Sequence, residues 1–156
     1  MTLEVINSAV KLAQSSGIKF MCFGRVETSI VNAYEQTLGV DFPKSFRFFL
    51  ENFGRISFGS RDIYGVVKDG FNQSSVPNFY WFTKVLRERS DISNSMVVIG
   101  TSGFGPHIIL ETGKMDSDNE CPVCLVRKTE IIEDLAPSFG VFLSDEIKAE
   151  IEDERL

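Results

Sequence analysis

The sequence predicts an α+β domain with a mainly antiparallel sheet of about five or six strands, flanked by helices at the N-terminus, the middle and the C-terminus. Three observations lead there. Apolar residues recur at three- and four-residue steps near both ends and in the middle of the chain. From residue 56 onward that period gives way to short apolar runs punctuated by Gly, Pro and Asn. No linker divides the 156 residues, and a chain of that size buries roughly two-thirds of its unfolded surface, enough for one core. Residues 1–156 are therefore read as a single domain.

Leu3, Ile6, Val10 and Ala13 mark a first amphipathic helix, stopped at Ser16-Gly17. Residues 18–26 are short and mixed, with Gly24 as a break. Thr28 or Ser29 caps a second helix whose apolar face is Ile30, Ala33, Tyr34 and Leu38, ended by Gly39. Pro43 suits the first position of a third helix, where its fixed φ helps and its missing N–H costs nothing. Phe46, Phe49, Leu50 and Phe53 then form one stripe, and Gly54 supplies a left-handed stop. Ile56–Phe58 and Arg61–Val67 read as strands around the Gly59-Ser60 turn, and residues 68–77 as loop. Residues 78–89 read as a helix with Phe79, Phe82 and Leu86 on one side. Ser95–Gly100 and His107–Glu111 are buried strands joined by the Gly103-Phe104-Gly105-Pro106 turn. A polar loop (Thr112–Glu120), a strand (Pro122–Lys128) and a short segment of unassigned type (Glu130–Leu135) follow. The last helix opens at Pro137, with Phe139, Phe142, Leu143, Ile147 and Ile151 as its stripe and an acidic opposite face over Ser144–Glu154.

Composition excludes several classes. With 43% hydrophobic residues and 14 Phe, the chain can offset its ordering entropy, so disorder is ruled out. No apolar run approaches the roughly 18 residues of a membrane span. Met1–Ile6 has no basic region and no apolar signal segment, so a soluble cytoplasmic protein without membrane attachment is expected. Three cysteines, an odd number in a chain without signs of export, argue against a disulfide framework. The net charge of −6 is uneven: residues 1–110 hold 11 basic and 9 acidic side chains, residues 111–156 hold 5 and 13. Direct nucleic-acid binding needs clustered cations and is not expected, whereas a basic protein partner fits this polarity.

Enzymatic signals are weak. Cys121-Pro-Val-Cys124 runs into a strand and not a helix N-terminus, so the dipole that activates a redox pair is missing. Zinc would have to recruit Cys22 and His107 at spacings that match no compact zinc motif. Buried structural cysteines are the favoured reading, ahead of redox or metal roles. Ser102 in Gly100-Thr-Ser-Gly103 lacks the glycine a nucleophile elbow needs two residues on, and His107 is an awkward base for it. Gly103-Phe-Gly105 is an incomplete dinucleotide fingerprint ahead of a strand. No catalytic residue, cofactor or metal site is therefore assigned. Carboxylates cluster at Asp116, Asp118 and Glu120, a set too short for a calcium loop, and at Glu130, Glu133 and Asp134. Either cluster is a set of solvated acids or a patch that steers a basic partner. Four aromatics in a row, Phe79 to Phe82, cannot all face one side of a helix, which makes Trp81 a candidate interface anchor.

The motifs converge on one family. Gly39-Val-Asp-Phe-Pro43, followed by Ser45-Phe-Arg-Phe-Phe-Leu50 and Phe53-Gly54, resembles the start of the SUKH superfamily, in its Smi/Knr branch. Met96-Val-Val-Ile-Gly100 before a glycine turn, Glu120-Cys-Pro-Val123 opening a strand and Ala136-Pro-Ser-Phe-Gly-Val-Phe-Leu143 opening the final helix are similar to later landmarks in the same order, over roughly residues 25–145. Two positions depart from the pattern. Arg55 stands where a second glycine is common, and Leu125-Val126 where an aromatic usually follows. The resemblance implies an α+β domain without an active site. It implies an immunity protein that binds and neutralises a cognate protein toxin, many such toxins being nucleases or deaminases. The contact residues come from the charge pattern and not from the resemblance: Trp81, Asp116, Asp118, Glu120, Glu130, Glu133 and Asp134 are expected to present an aromatic anchor and carboxylates where phosphates would sit. The alternative is a non-enzymatic scaffold or regulator of cell-wall or signalling assembly.

Overall fold

In the computed structural model, which describes residues 2–156, the strands run as an antiparallel meander in two pieces. β1 (Phe20–Cys22), β2 (Ile56–Phe58) and β3 (Arg61–Ile63) form a three-stranded sheet in that order. β4 (Met96–Thr101), β5 (His107–Glu111), β6 (Val123–Arg127) and β7 (Glu130–Ala136) form a four-stranded one. The Tyr64 N–H donates to the Ile99 carbonyl at 2.9 Å, so the end of β3 is tied to the middle of β4. Helices α1 (Thr2–Ser15), α2 (Thr28–Leu38), α3 (Lys44–Asn52), α4 (Phe79–Glu88) and α5 (Phe139–Glu154) surround this meander. The α+β class and the antiparallel pairing are as expected, and the strands number seven among the described residues. The additions are β1, in the stretch read as mixed, and β7, the segment of unassigned type.

The four-stranded sheet separates two cores. Val97, Ile99, Leu110 and Val123 face the larger one, which α1, α3 and α5 close with Ile6, Phe46, Phe49, Phe139 and Leu143. Met96, Val98, Ile109, Cys124 and Val126 face the smaller one, capped by Leu86 of α4 and by Ile92. With both faces covered, β4 is an unbroken apolar run and not an alternating one.

Helix α3 carries the densest aromatic packing. The Phe46 ring meets Phe42, Phe49, Phe79 and Phe139 at centroid distances of 5.1 to 6.1 Å, so a pre-helix loop, α3, α4 and α5 converge on one side chain. Gly54 ends the helix with φ 71°, as its sequence position predicts. Eleven residues on, Gly65 passes the same backbone so closely that a Cβ there would stand 2.0 Å from the Gly54 carbonyl oxygen.

One local expectation changes. The buried face of α2 is Val31, Tyr34 and Leu38, while Ile30 is 38% exposed and Ala33 only half-buried. Rotation toward Val31 lets Tyr34 pack on Phe71, Phe79 and Tyr80. Helix α4 forms where the sequence places it, started by the Asn78 side chain, whose Oδ1 accepts the N–H groups of Tyr80 and Trp81.

Candidate partner-binding surface

Helix α5 covers only part of the sheet face it packs on. Beyond it, two adjoining concavities of about 510 and 330 Å³ share Ser102, Ile108, Phe142 and Glu146 and form one groove. Its floor is apolar where Ile108, Leu125 and Leu135 are half-buried, while Ile63 and Ile99 lie buried beneath the other end. Its rim carries four carboxylates, Asp62, Glu133, Asp145 and Glu146, against one guanidinium, Arg61. That guanidinium is already engaged with Glu146 at 3.2 Å, Glu150 at 3.0 Å and Asp153 at 2.7 Å. Burial works against its charge, but the three carboxylates outweigh burial and raise its pKa above the ordinary value. Glu150 itself is 3% exposed. Burial pushes its pKa up, yet the Ser60 N–H, the Glu154 carboxyl, Arg61 and the Ser60 hydroxyl together hold it below the usual value. This network fixes α5 to the β2–β3 turn and shapes one wall of the groove.

The other wall is the β4–β5 hairpin. Phe104 stands at its tip, 72% exposed, between Gly103 at φ 85° and Gly105 at φ 123°. The Ser102 hydroxyl donates to the Pro106 carbonyl at 2.8 Å and accepts the Phe104 N–H at 3.3 Å. Ser102 is thus a turn former, as its sequence context suggests. His107 lies on the opposite side of the sheet, edge-on to Phe82 of α4 at 5.5 Å. Burial lowers its pKa, with Asp91 opposing, so the imidazole is neutral at pH 7. Serine and imidazole therefore do not form a nucleophile–base pair.

The cysteines of Cys121-Pro-Val-Cys124 point to opposite faces of the sheet, Cys121 into the larger core and Cys124 into the smaller. Burial pushes both thiols up to about 12, and for Cys124 a 3.3 Å hydrogen bond to Asp134 adds to the effect. Both are poor nucleophiles. Native-state alkylation with iodoacetamide is expected to modify exposed Cys22 and to reach Cys121 and Cys124 only on unfolding. Modification of all three at similar rates, followed by mass spectrometry, would contradict this packing.

The acidic residues singled out in the sequence do not form one patch. Glu133 lines the groove. Glu130 sits at the start of the same strand, opposite Arg127 in the register. Asp134 turns to the other face, against Cys124. Asp116 and Asp118 are exposed in the loop before β6, where the Asp116 carboxylate accepts the N–H groups of Asp118 and Glu120. Glu120 is a correction. It is 4% exposed, and its carboxylate accepts the Ser45 N–H at 3.1 Å and the Ser45 hydroxyl at 2.7 Å, so it caps α3 and does not face a partner. Trp81 is half-buried on α4, stacked on Phe82 at 5.9 Å.

Sequence reasoning missed Phe104, Asp62, Asp145 and Glu146 as neighbours. One signal was available: an aromatic between two glycines has no periodic partner, so nothing in its own hairpin can bury it. A larger concavity, about 1120 Å³, lies between α2, α3 and the loop after β5. Its charges are mixed, Glu35 and Asp41 with Lys44 and Arg47, and Arg47 is spent on Glu35, Asn32 and Glu51. It offers no single sign of charge.

The fold and this surface define an α+β chain whose most distinctive exposed feature is an open, acid-rimmed groove. The model of the SMI1-KNR4 cell-wall family, SUKH_6, matches residues 27–143, three-quarters of the chain, and the chain belongs to that family. Membership is consistent with an immunity-protein role and with binding to a protein partner. No curated protein matches the sequence. No helix among the described residues is long and apolar enough to cross a membrane.

Proposed function

We propose that the chain is an immunity protein that binds a cognate polymorphic toxin domain, a nuclease or deaminase, and neutralises it by direct occlusion. The observation that carries this reading is the groove, with its apolar floor and carboxylate rim beside the exposed Phe104. A toxin that acts on nucleic acid presents cations where phosphates bind. Carboxylates aimed at those cations compete for the same place and accelerate encounter. Glu133 contributes at the contact, and Glu130 lies at the start of the same strand. Asp116 and Asp118 steer from a separate loop. Asp134 and Trp81 reach only a partner that wraps around the β7 edge. No catalytic group takes part.

Co-expression with a candidate toxin domain, sought among the genes that neighbour its own, tests this. Protection of the cells, and loss of toxin activity at one molar equivalent in vitro, are expected. The association rate should fall about tenfold or more from low to high salt. Unchanged toxin activity in a stoichiometric mixture would refute the proposal.

A further inference from the structure

We propose that the groove between α5 and the open end of β5–β7 seats a basic segment of the protein partner, with one apolar side chain on its floor and Lys or Arg side chains over its rim. The inference rests on the reading that the partner is a protein, and it assigns the chemistry of the segment that enters. Both halves of that chemistry are built into the groove. Ile108, Leu125 and Leu135, half-buried around the buried Phe142, leave apolar surface uncovered where α5 stops shielding the sheet. A partner side chain placed there removes that surface from water. Around it, Glu133 and Asp145 have no ion-pair partner among the described residues, and neither has Asp62 across the adjoining concavity. Glu146 shares Arg61 with Glu150 and Asp153, so the single guanidinium in the lining is outnumbered. An acidic segment entering here would meet unpaired carboxylates of its own sign, whereas a basic one completes them.

Phe104 forms the open end of the groove, and its flanking glycines in left-handed conformations let the tip adapt without side-chain strain. A large, exposed aromatic at the mouth of a lined groove has the character of an interface anchor. Arg127 lies beside Gly105 and faces Glu130 across the strand pair, outside the lining.

The probe is a blocked pentapeptide, KRLKR, titrated into the isotopically labelled full chain, with KRSKR and EELEE as comparators. KRLKR is expected to shift the amide resonances of Ser102, Ile108, Leu125 and Phe142 saturably, and EELEE to leave them in place. KRSKR should bind about tenfold more weakly, because it lacks the apolar anchor. Glu133→Lys with Asp145→Lys should weaken KRLKR about tenfold or more, and Phe104→Ser similarly, with unfolding midpoints unchanged. Equal binding of KRLKR and KRSKR, or shifts spread evenly over Asp116, Asp118 and Glu152 outside the groove, would overturn the proposal as diffuse charge attraction. Its failure is separable from that of the immunity reading. A Glu133→Lys/Asp145→Lys chain that still neutralises the neighbouring toxin with unaltered affinity refutes the groove as the seat and leaves immunity standing. Localised, saturable peptide binding by a chain that fails to neutralise that toxin supports the groove and removes the immunity role.

Discussion

A Phe46→Ala chain is expected to lose about 3–5 kcal/mol of folding stability. Phe46 is fully buried, and its four ring partners come from the pre-helix loop, α3, α4 and α5. Each of those elements is anchored elsewhere, so none can slide in to fill the space, and the cavity contribution stays near its upper range. Loss of the edge-to-face contacts with Phe42, Phe79 and Phe139 adds to the transfer cost. Against a total of about 5–15 kcal/mol, the variant is left close to the unfolding threshold. Urea denaturation followed by circular dichroism measures it, with the midpoint falling and the slope retained. Phe104→Ala is the control. At 72% exposure it should change stability by no more than about 0.5 kcal/mol, although it is expected to impair binding. A Phe46→Ala loss below about 1 kcal/mol would mean that the aromatic junction is looser than its geometry indicates.

The same residues explain what was legible in the sequence. Phe46, Phe49 and Leu50 repeat at helical spacing between Pro43 and Gly54, and the helix they predict is the one that forms. The signal is local: period, start and stop all lie within twelve residues. Strands β4 and β5 were legible for a similar reason, since a doubly covered strand carries a continuous apolar run, Met96–Ile99 in β4 and Ile108–Leu110 in β5. Strand β1 was not. Phe20–Cys22 is three residues long and partly exposed, and only pairing with β2, Met21 opposite Ser57, makes it a strand. Strand β7 hid behind Glu130, Glu133 and Asp134, acids that suit a sheet edge because they discourage further pairing. In α2, Ile30 and Val31 both stand at helical spacing from Tyr34, and the aromatic cluster around Tyr34 settles which one turns inward. The groove was the least legible feature. Asp62, Phe104, Glu133 and Glu146 share no local pattern, and they meet only because the meander, the hairpin and α5 close on one another. Charge counting located acids without saying which way they face, and Glu120 and Glu150 both turn inward.

Glu120→Ala is expected to cost about 2–3 kcal/mol, whereas Asp118→Ala, two residues away and exposed, should stay within about 0.5 kcal/mol. The first turn of α3 leaves N–H groups without intrahelical partners. Pro43, at the N-cap, offers no side-chain hydrogen bond to them. The acceptor comes from 75 residues away, as the Glu120 carboxylate takes the Ser45 N–H and hydroxyl. The same hydroxyl oxygen accepts the Gly140 N–H at 3.3 Å, at the start of α5. One buried anion therefore serves two helix N-termini, where the backbone dipoles favour negative charge. Removing it leaves the Ser45 donors buried and unsatisfied, which is costlier than losing a surface hydrogen bond. Glu120→Gln keeps an acceptor but loses the charge, and should fall between the other two variants. A double-mutant cycle with Ser45→Ala, read by chemical denaturation, should give a coupling of about 1 kcal/mol or more. Additive effects in that cycle, together with a Glu120→Ala chain of normal stability that no longer binds its partner, would return Glu120 to the surface role that charge counting suggested. Coupling with retained affinity instead makes the 116–120 loop a clamp between helices, and leaves recognition to the groove that Asp145 and Glu146 of α5 help to line.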